Sequence, residues 1–208
     1  MTEAGDLALV RLYWPERLRP AFDALMGVEA ALADVVTGSS QPALGAIRLA
    51  WWREALQRLD HHPPPAEPRL QAVAASLLPL GIGGDRLAAL EDGWAALLDE
   101  HPDRAIVEQG GARLFALAAE LLGRGDPLLD PAGALYALSR ARRLGLLAAD
   151  ADALCRALAG HRFARALRPL TALARLGVRD LAAAAPEADA TPGRAAALLW
   201  HRLSGRIC

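Results

Sequence analysis

Trp51 and Trp52 stand side by side in the run Ile47-Arg48-Leu49-Ala50-Trp51-Trp52-Arg53-Glu54-Ala55-Leu56. The run reads as one helix, and adjacent helix positions point about 100° apart. The two indoles therefore lie on different faces, and each needs its own cover. The rest of the chain favours helix too. Alanine and leucine dominate, β-branched residues are few, and aromatics make up only 5%, a balance that suits helices throughout. With 208 residues, 53% of them apolar, the chain is long enough for one domain with a sizeable core.

Proline and glycine divide the chain into helical segments. Residues 6–13 make a short apolar start. Pro15 suits the first turn of a helix running to about Thr37, where Phe22, Leu25, Met26, Leu32 and Val36 recur at helical spacing. Pro42 opens the tryptophan helix, with Leu44, Ile47, Trp51 and Ala55 along one stripe. His61 to Pro68 is a proline-rich linker. Further helices are expected over residues 69–79, 84–99, 103–122, 131–148, 150–158, 160–177 and 191–205. Asp85, Asp103 and Thr191 are placed as N-caps. Gly123, Gly145 and Gly177 are placed near helix ends, and 180–192 as a surface loop. No alternating strand pattern and no fixed repeat occurs.

Several function classes are disfavoured. The net charge is −1, and all 23 basic residues are arginines, so nucleic-acid binding has no electrostatic footprint. Cys155 and Cys208 make neither a disulfide framework nor a metal-ligand spacing, which points to a reducing compartment. No signal peptide is evident, and no uncharged apolar run reaches about 18 residues. The expected location is cytoplasmic, with peripheral contact at an inner membrane as the other option. No nucleophile elbow, P-loop or dinucleotide fingerprint is present. Gly81-Ile82-Gly83-Gly84 lacks the flanking strand and the Lys-Ser/Thr of a phosphate loop.

The tryptophan run resembles the squalene/phytoene synthase family, whose matching helix reads Ile-Arg-Leu-x-Trp-Trp-Arg-x-Ala-Leu. The preceding helix resembles that family's first aspartate-rich helix, Leu90 to Gly123 the next part of the fold, and residues 133–143 the second conserved helix. The resemblance implies an all-α, single helical domain of the isoprenoid-synthase type over residues 1–208, C-terminally shortened relative to longer active members. Those enzymes join two prenyl diphosphates head to head. Mg²⁺ held by carboxylates neutralises the departing diphosphate, and Asp-x-x-x-Asp on two facing helices supplies the acids, one turn apart.

Here the first such stretch reads Ala33-Asp34-Val35-Val36-Thr37, with no acid at either outer position. The second presents Ala137, Arg140 and Leu144, with Arg143 matching the family's arginine, and Pro131 to Ala149 holds no carboxylate. Guanidinium groups are donors only and hold no Mg²⁺. The Asp-x-x-x-Asp strings at 99–103 and 126–130 contain Pro102 and Pro127, which break the helical repeat. The resemblance therefore narrows to a non-catalytic branch like the mitochondrial complex I assembly factor. That implies a role in assembly or in binding a prenyl or quinone lipid, with no catalytic residue, metal or cofactor. Candidate binding residues are Arg48, Trp51, Trp52, Arg53, Arg140 and Arg143. One alternative is an active prenyl transferase holding Mg²⁺ at a displaced site of Glu29, Asp34, Glu91 and Asp92. Another is a helical protein partner of an active paralogue.

Overall fold

The structure, a computed structural model, describes residues 5–208. The described residues form α-helices joined by turns, without strands. In the first half, α1 (Gly5–Tyr13), α2 (Arg19–Thr37), α3 (Pro42–Arg58), α4 (Pro68–Ser76), α5 (Gly84–Ala88) and α6 (Glu91–Ala95) follow one another. In the second, α7 (Arg104–Leu121), α8 (Leu129–Arg143), α9 (Asp152–Leu158), α10 (Arg168–Ala182) and α11 (Pro192–Ser204) complete the chain. One apolar cluster runs through all of it, from Val10 to Ile207.

The helix ends follow local chemistry. Asp103 accepts a hydrogen bond from the Ala105 amide at 2.8 Å, and Thr191 one from the Arg194 amide at 3.3 Å. Asp85 does not cap α5. Its first turn is capped at long range by Asp60, which accepts from the Gly84 and Asp85 amides at 2.6 and 3.0 Å. Gly123 and Gly145 take positive φ beyond α7 and α8, as expected of helix stops. Gly177 does not end a helix. It lies inside α10, where a Cβ would sit 2.9 Å from the Leu135 carbonyl oxygen, so it serves close packing onto α8. The helix expected from residue 160 starts instead at Arg168, because Pro169 occupies its first turn.

α8 is packed between α7 and α10. A Cβ on Gly111 would lie 2.2 Å from the Gly133 carbonyl oxygen, and one on Gly133 would lie 2.3 Å from that of Gly111. The two backbones touch there.

The tryptophan helix faces the core differently from the sequence expectation. Gly45, Leu49, Trp52, Ala55 and Leu56 are its buried residues. Of the stripe expected from the sequence, Ala55 is buried, while Leu44, Ile47 and Trp51 are 51%, 67% and 49% exposed. Only Trp52 receives full cover. Its ring meets that of Trp51 edge-on, with centroids 5.3 Å apart.

The fold also corrects the reading of the cysteines. Cys155 on α9 and Cys208 form a disulfide, with Cα atoms 5.7 Å apart, within the range such bonds need. Fifty-three residues separate them, so nothing in the local sequence announces the pair. A disulfide is at home in an oxidising environment, which removes the ground for a reducing one. The chain-entropy model assigns a loop of this length about 4 kcal/mol. Reduction, or Cys155→Ser, is expected to lower unfolding stability by about 2–4 kcal/mol in urea titrations. Superimposable curves with and without reductant would contradict the bond.

Candidate functional site

Glu29 repeats at the spacing of Leu25, Leu32 and Val36 and so puts a carboxylate on the buried face of α2. α6 supplies Trp94, and α8 supplies Tyr136 and, one turn later, Arg140. The Trp94 Nε1–H donates to Glu29 Oε1 at 3.1 Å. The Arg140 guanidinium lies over the Trp94 ring, 5.8 Å from its centroid. Burial pushes the Glu29 carboxyl above its ordinary value, against the opposing pull of Arg140 and the Trp94 hydrogen bond. Burial also pushes Tyr136 up to about 12, so its hydroxyl stays protonated. Arg140 Nε is buried without a hydrogen-bond partner among the described residues.

The space these groups enclose is small. The cavity lined by Glu29, Trp94, Tyr136 and Arg140 has a volume of about 20 Å³. That suits about one water molecule, whereas sites for organic ligands occupy about 300–1,000 Å³. Leu90, Leu97, Val107 and Leu114 close its apolar side.

At the two positions where the first aspartate pair is expected stand Ala33, buried, and Thr37, whose hydroxyl donates back to the Ala33 carbonyl at 2.9 Å. Asp34 accepts from Arg69 at 2.7 Å on the surface. Glu91 and Asp92 are both bound by Arg53 from α3, which donates from Nε to Glu91 at 2.8 Å and from its Nη2 to each acid. Asp92 also accepts from Arg113 of α7. Against the cost of burial, the hydrogen bonds from Arg53 and Arg113 hold the Asp92 carboxyl below its ordinary value. Each of the four acids considered for a displaced magnesium site thus already has a donor. Among the described residues no group of three or more His, Cys, Asp or Glu is placed to hold a metal ion.

The six candidate binding residues fall in two places. Arg48 and Trp51 are exposed on α3, Trp52 is buried beneath them, and Arg53 is engaged as above. Trp51 lines an open groove of about 390 Å³ with Glu54, Ala55, Arg58, Leu59, Pro63 and Pro65. Arg140 and Arg143 stand on α8, whose neighbours are α7, α9 and α10, whereas α3 packs on α2, α5 and α6. Arg143 donates to Asp180 at 3.1 Å, to the Glu187 carbonyl at 2.9 Å, and to Asp189. Its neighbour Arg142 caps α10 by donating to the carbonyls of Asp180 and Leu181 at 2.8 and 2.6 Å. Glu29, Trp94 and Tyr136 were not singled out from the sequence as a group. The register of Glu29 among leucines was the available signal for one of them.

Residues 3–101 match the model of the squalene/phytoene synthase family. Over that stretch, which takes in α1 to α6, the chain is similar to that family, and the all-α architecture of the described residues is consistent with the isoprenoid-synthase type. The match stops before α7 and α8, so the likeness of the second conserved helix rests on the residues alone. No curated protein and no solved structure matches the chain.

Glu29 offers a test of the central cluster. A carboxyl raised in the folded state keeps its proton where the unfolded chain has lost it, so stability falls as pH climbs through that window. Glu29→Gln keeps an acceptor for Trp94 and removes the ionisation. The variant's stability relative to the parent is expected to improve as pH rises above the ordinary glutamate range, read by urea unfolding at each pH. A relative loss over the same range would mean that Arg140 holds Glu29 charged.

Proposed function

We propose that this protein is a non-catalytic, squalene/phytoene synthase-like factor that works by binding a protein partner, in the manner of an assembly factor. The observation that carries this reading is the interior. Where prenyl transfer needs paired acids around a chain-sized cavity, Glu29 and Arg140 face a space of about 20 Å³. Direct incubation with farnesyl or geranylgeranyl diphosphate and Mg²⁺ is the first test. The expected outcome is no diphosphate release above a protein-free control. Release that Glu29→Gln or Asp34→Ala abolishes would restore the active prenyl transferase.

The outward face of α3 supports the partner half of the reading. Leu44, Ile47 and Trp51 repeat at spacings of three and four, so they form one apolar stripe that the described residues leave about half or more exposed. The groove beside Trp51 favours a second reading, in which a prenyl or quinone lipid lies against the indole and the prolines. Two substitutions separate them. Ile47→Glu is expected to leave the melting temperature unchanged and to abolish the protein's activity in cells lacking the native copy, while a lipid held at Trp51 survives it. If only Trp51→Ala is disabling, the lipid reading replaces the partner one.

A further inference from the structure

The chain's charge is unevenly distributed. Residues 153–208 hold nine arginines and three acids, Asp180, Glu187 and Asp189. All three acids are bound within the fold. Asp180 accepts from Arg143 and Arg194, Glu187 from Arg179 and Thr191, and Asp189 from Arg143. Among the described residues the remaining arginines of this region pair with no carboxylate, and several gather on one face.

That face is built by α1, the turn before α10, and α11. An open groove of about 390 Å³ is lined by Tyr13, Arg165, Arg168, Pro169, Arg202 and Leu203, with no acid among the described residues that line it. Arg168 is held in place by donating to the carbonyls of Phe163, Arg202 and Leu203 at 3.2, 2.8 and 3.1 Å, so it also caps the end of α11. Arg162 donates to the Ser204 carbonyl at 3.1 Å. Arg202 lies over the Tyr13 ring, 4.8 Å from its centroid. Arg165 and Arg202 are exposed and make no ion pair among the described residues. Burial, and then the like charges of Arg165 and Arg162, depress the pKa of Arg168.

Apolar side chains flank these charges. Leu203 is 71% exposed beside the groove, Leu199 is 55% exposed one turn earlier on the same helix, and Leu12 is 61% exposed next to Tyr13. The buried side of α11 carries Arg194, Ala197, Leu198 and His201, so the helix is fixed in the fold with its leucines and Arg202 outward. Segment 190–208 contains no acid at all. Nucleic acid or an acidic peptide would use the guanidinium groups but leave the leucines in water. A bilayer with anionic headgroups uses both, because arginines pair with phosphates while leucines enter the acyl boundary.

We infer that the groove formed by Tyr13, Arg165, Arg168, Arg202 and Leu203 is a docking face for an anionic membrane surface, with lipid phosphate at the arginines and Leu199 and Leu203 dipping below it. Among the described residues no helix is long and apolar enough to cross a membrane, so the contact is peripheral. Vesicle binding is independent of prenyl turnover and of the α3 face, and either can fail without the other.

Sedimentation with sucrose-loaded vesicles tests it on the full chain. Vesicles with about 30% phosphatidylglycerol in phosphatidylcholine are expected to bind the protein about tenfold or more tightly than pure phosphatidylcholine, with binding lost near 1 M NaCl. Arg165→Glu combined with Arg202→Glu is expected to reduce binding about tenfold or more without changing the melting temperature. Leu199→Ser with Leu203→Ser is expected to weaken it several-fold while leaving the salt dependence intact. Equal binding to neutral vesicles, or no effect of the arginine pair, overturns the inference. Competition by millimolar glycerol phosphate as strong as by vesicles would assign the groove to a soluble phosphate instead. An unaltered leucine variant that binds a short DNA duplex equally well would assign it to a general polyanion.

Discussion

Contact between the backbones of α7 and α8 at Gly111 and Gly133 decides where everything in the middle of this molecule sits. Each glycine leaves the other's carbonyl room that a single methyl group would fill. With α8 drawn against α7 on one side, and against α10 through Gly177 on the other, Tyr136 and Arg140 are carried into the interior. There they meet Glu29 and Trp94. Helices this close leave space for little more than their own side chains, and the central volume is small for that reason.

Arginine does much of the work that caps and ion pairs do elsewhere. Arg142 closes the end of α10 and Arg168 the end of α11, each by donating to several carbonyls that would otherwise lack partners. Arg194 is buried and bridges Asp6 of α1 to Asp180 of α10, so the two ends of the chain meet at one guanidinium. A planar fork with five donors suits this bridging better than an ammonium. Arg165, Arg168 and Arg202 remain beside α11, lining a groove to which the described residues contribute no acid.

The helical character of the chain, most helix positions and the family likeness of the first half were legible in the sequence. They rest on local signals: Pro42 at a helix start, Asp103 and Thr191 as caps, and alanine and leucine at helical spacing. What was not legible depended on contacts between distant residues. Asp60 caps α5 from twenty-four residues upstream of the amide it binds, and Cys155 finds Cys208 only after α9 and α11 are in place. The orientation of α3 was misread because Leu44, Ile47 and Trp51 are as apolar as the residues on its true inner face. Periodicity identifies an apolar stripe, but two such stripes on one helix cannot be ranked without knowing which neighbours arrive. For the candidate site, Arg53, Arg140, Arg143, Glu29, Glu91 and Asp92 were recognisable one by one, while the pairing of Arg53 with Glu91 and Asp92, and of Arg143 with Asp180 and Asp189, was not, since ion-pair choice is settled by tertiary geometry.

The tryptophan motif itself divides into separate physical tasks. Trp52 fills the core against the inner helices. Arg53 ties α3 to α6 through Glu91 and Asp92, and Asp92 passes the tie to α7 through Arg113. An ion pair half-sheltered in this way loses more than an exposed one when a partner is removed, because the remaining charges keep their desolvation cost without compensation. Packing and this clamp are sufficient reasons for Trp52 and Arg53 to stand where they do, with no diphosphate involved. Trp51 and Arg48 are the part of the motif that faces outward: Arg48 is exposed, and half-exposed Trp51 meets the fold through the edge contact with Trp52.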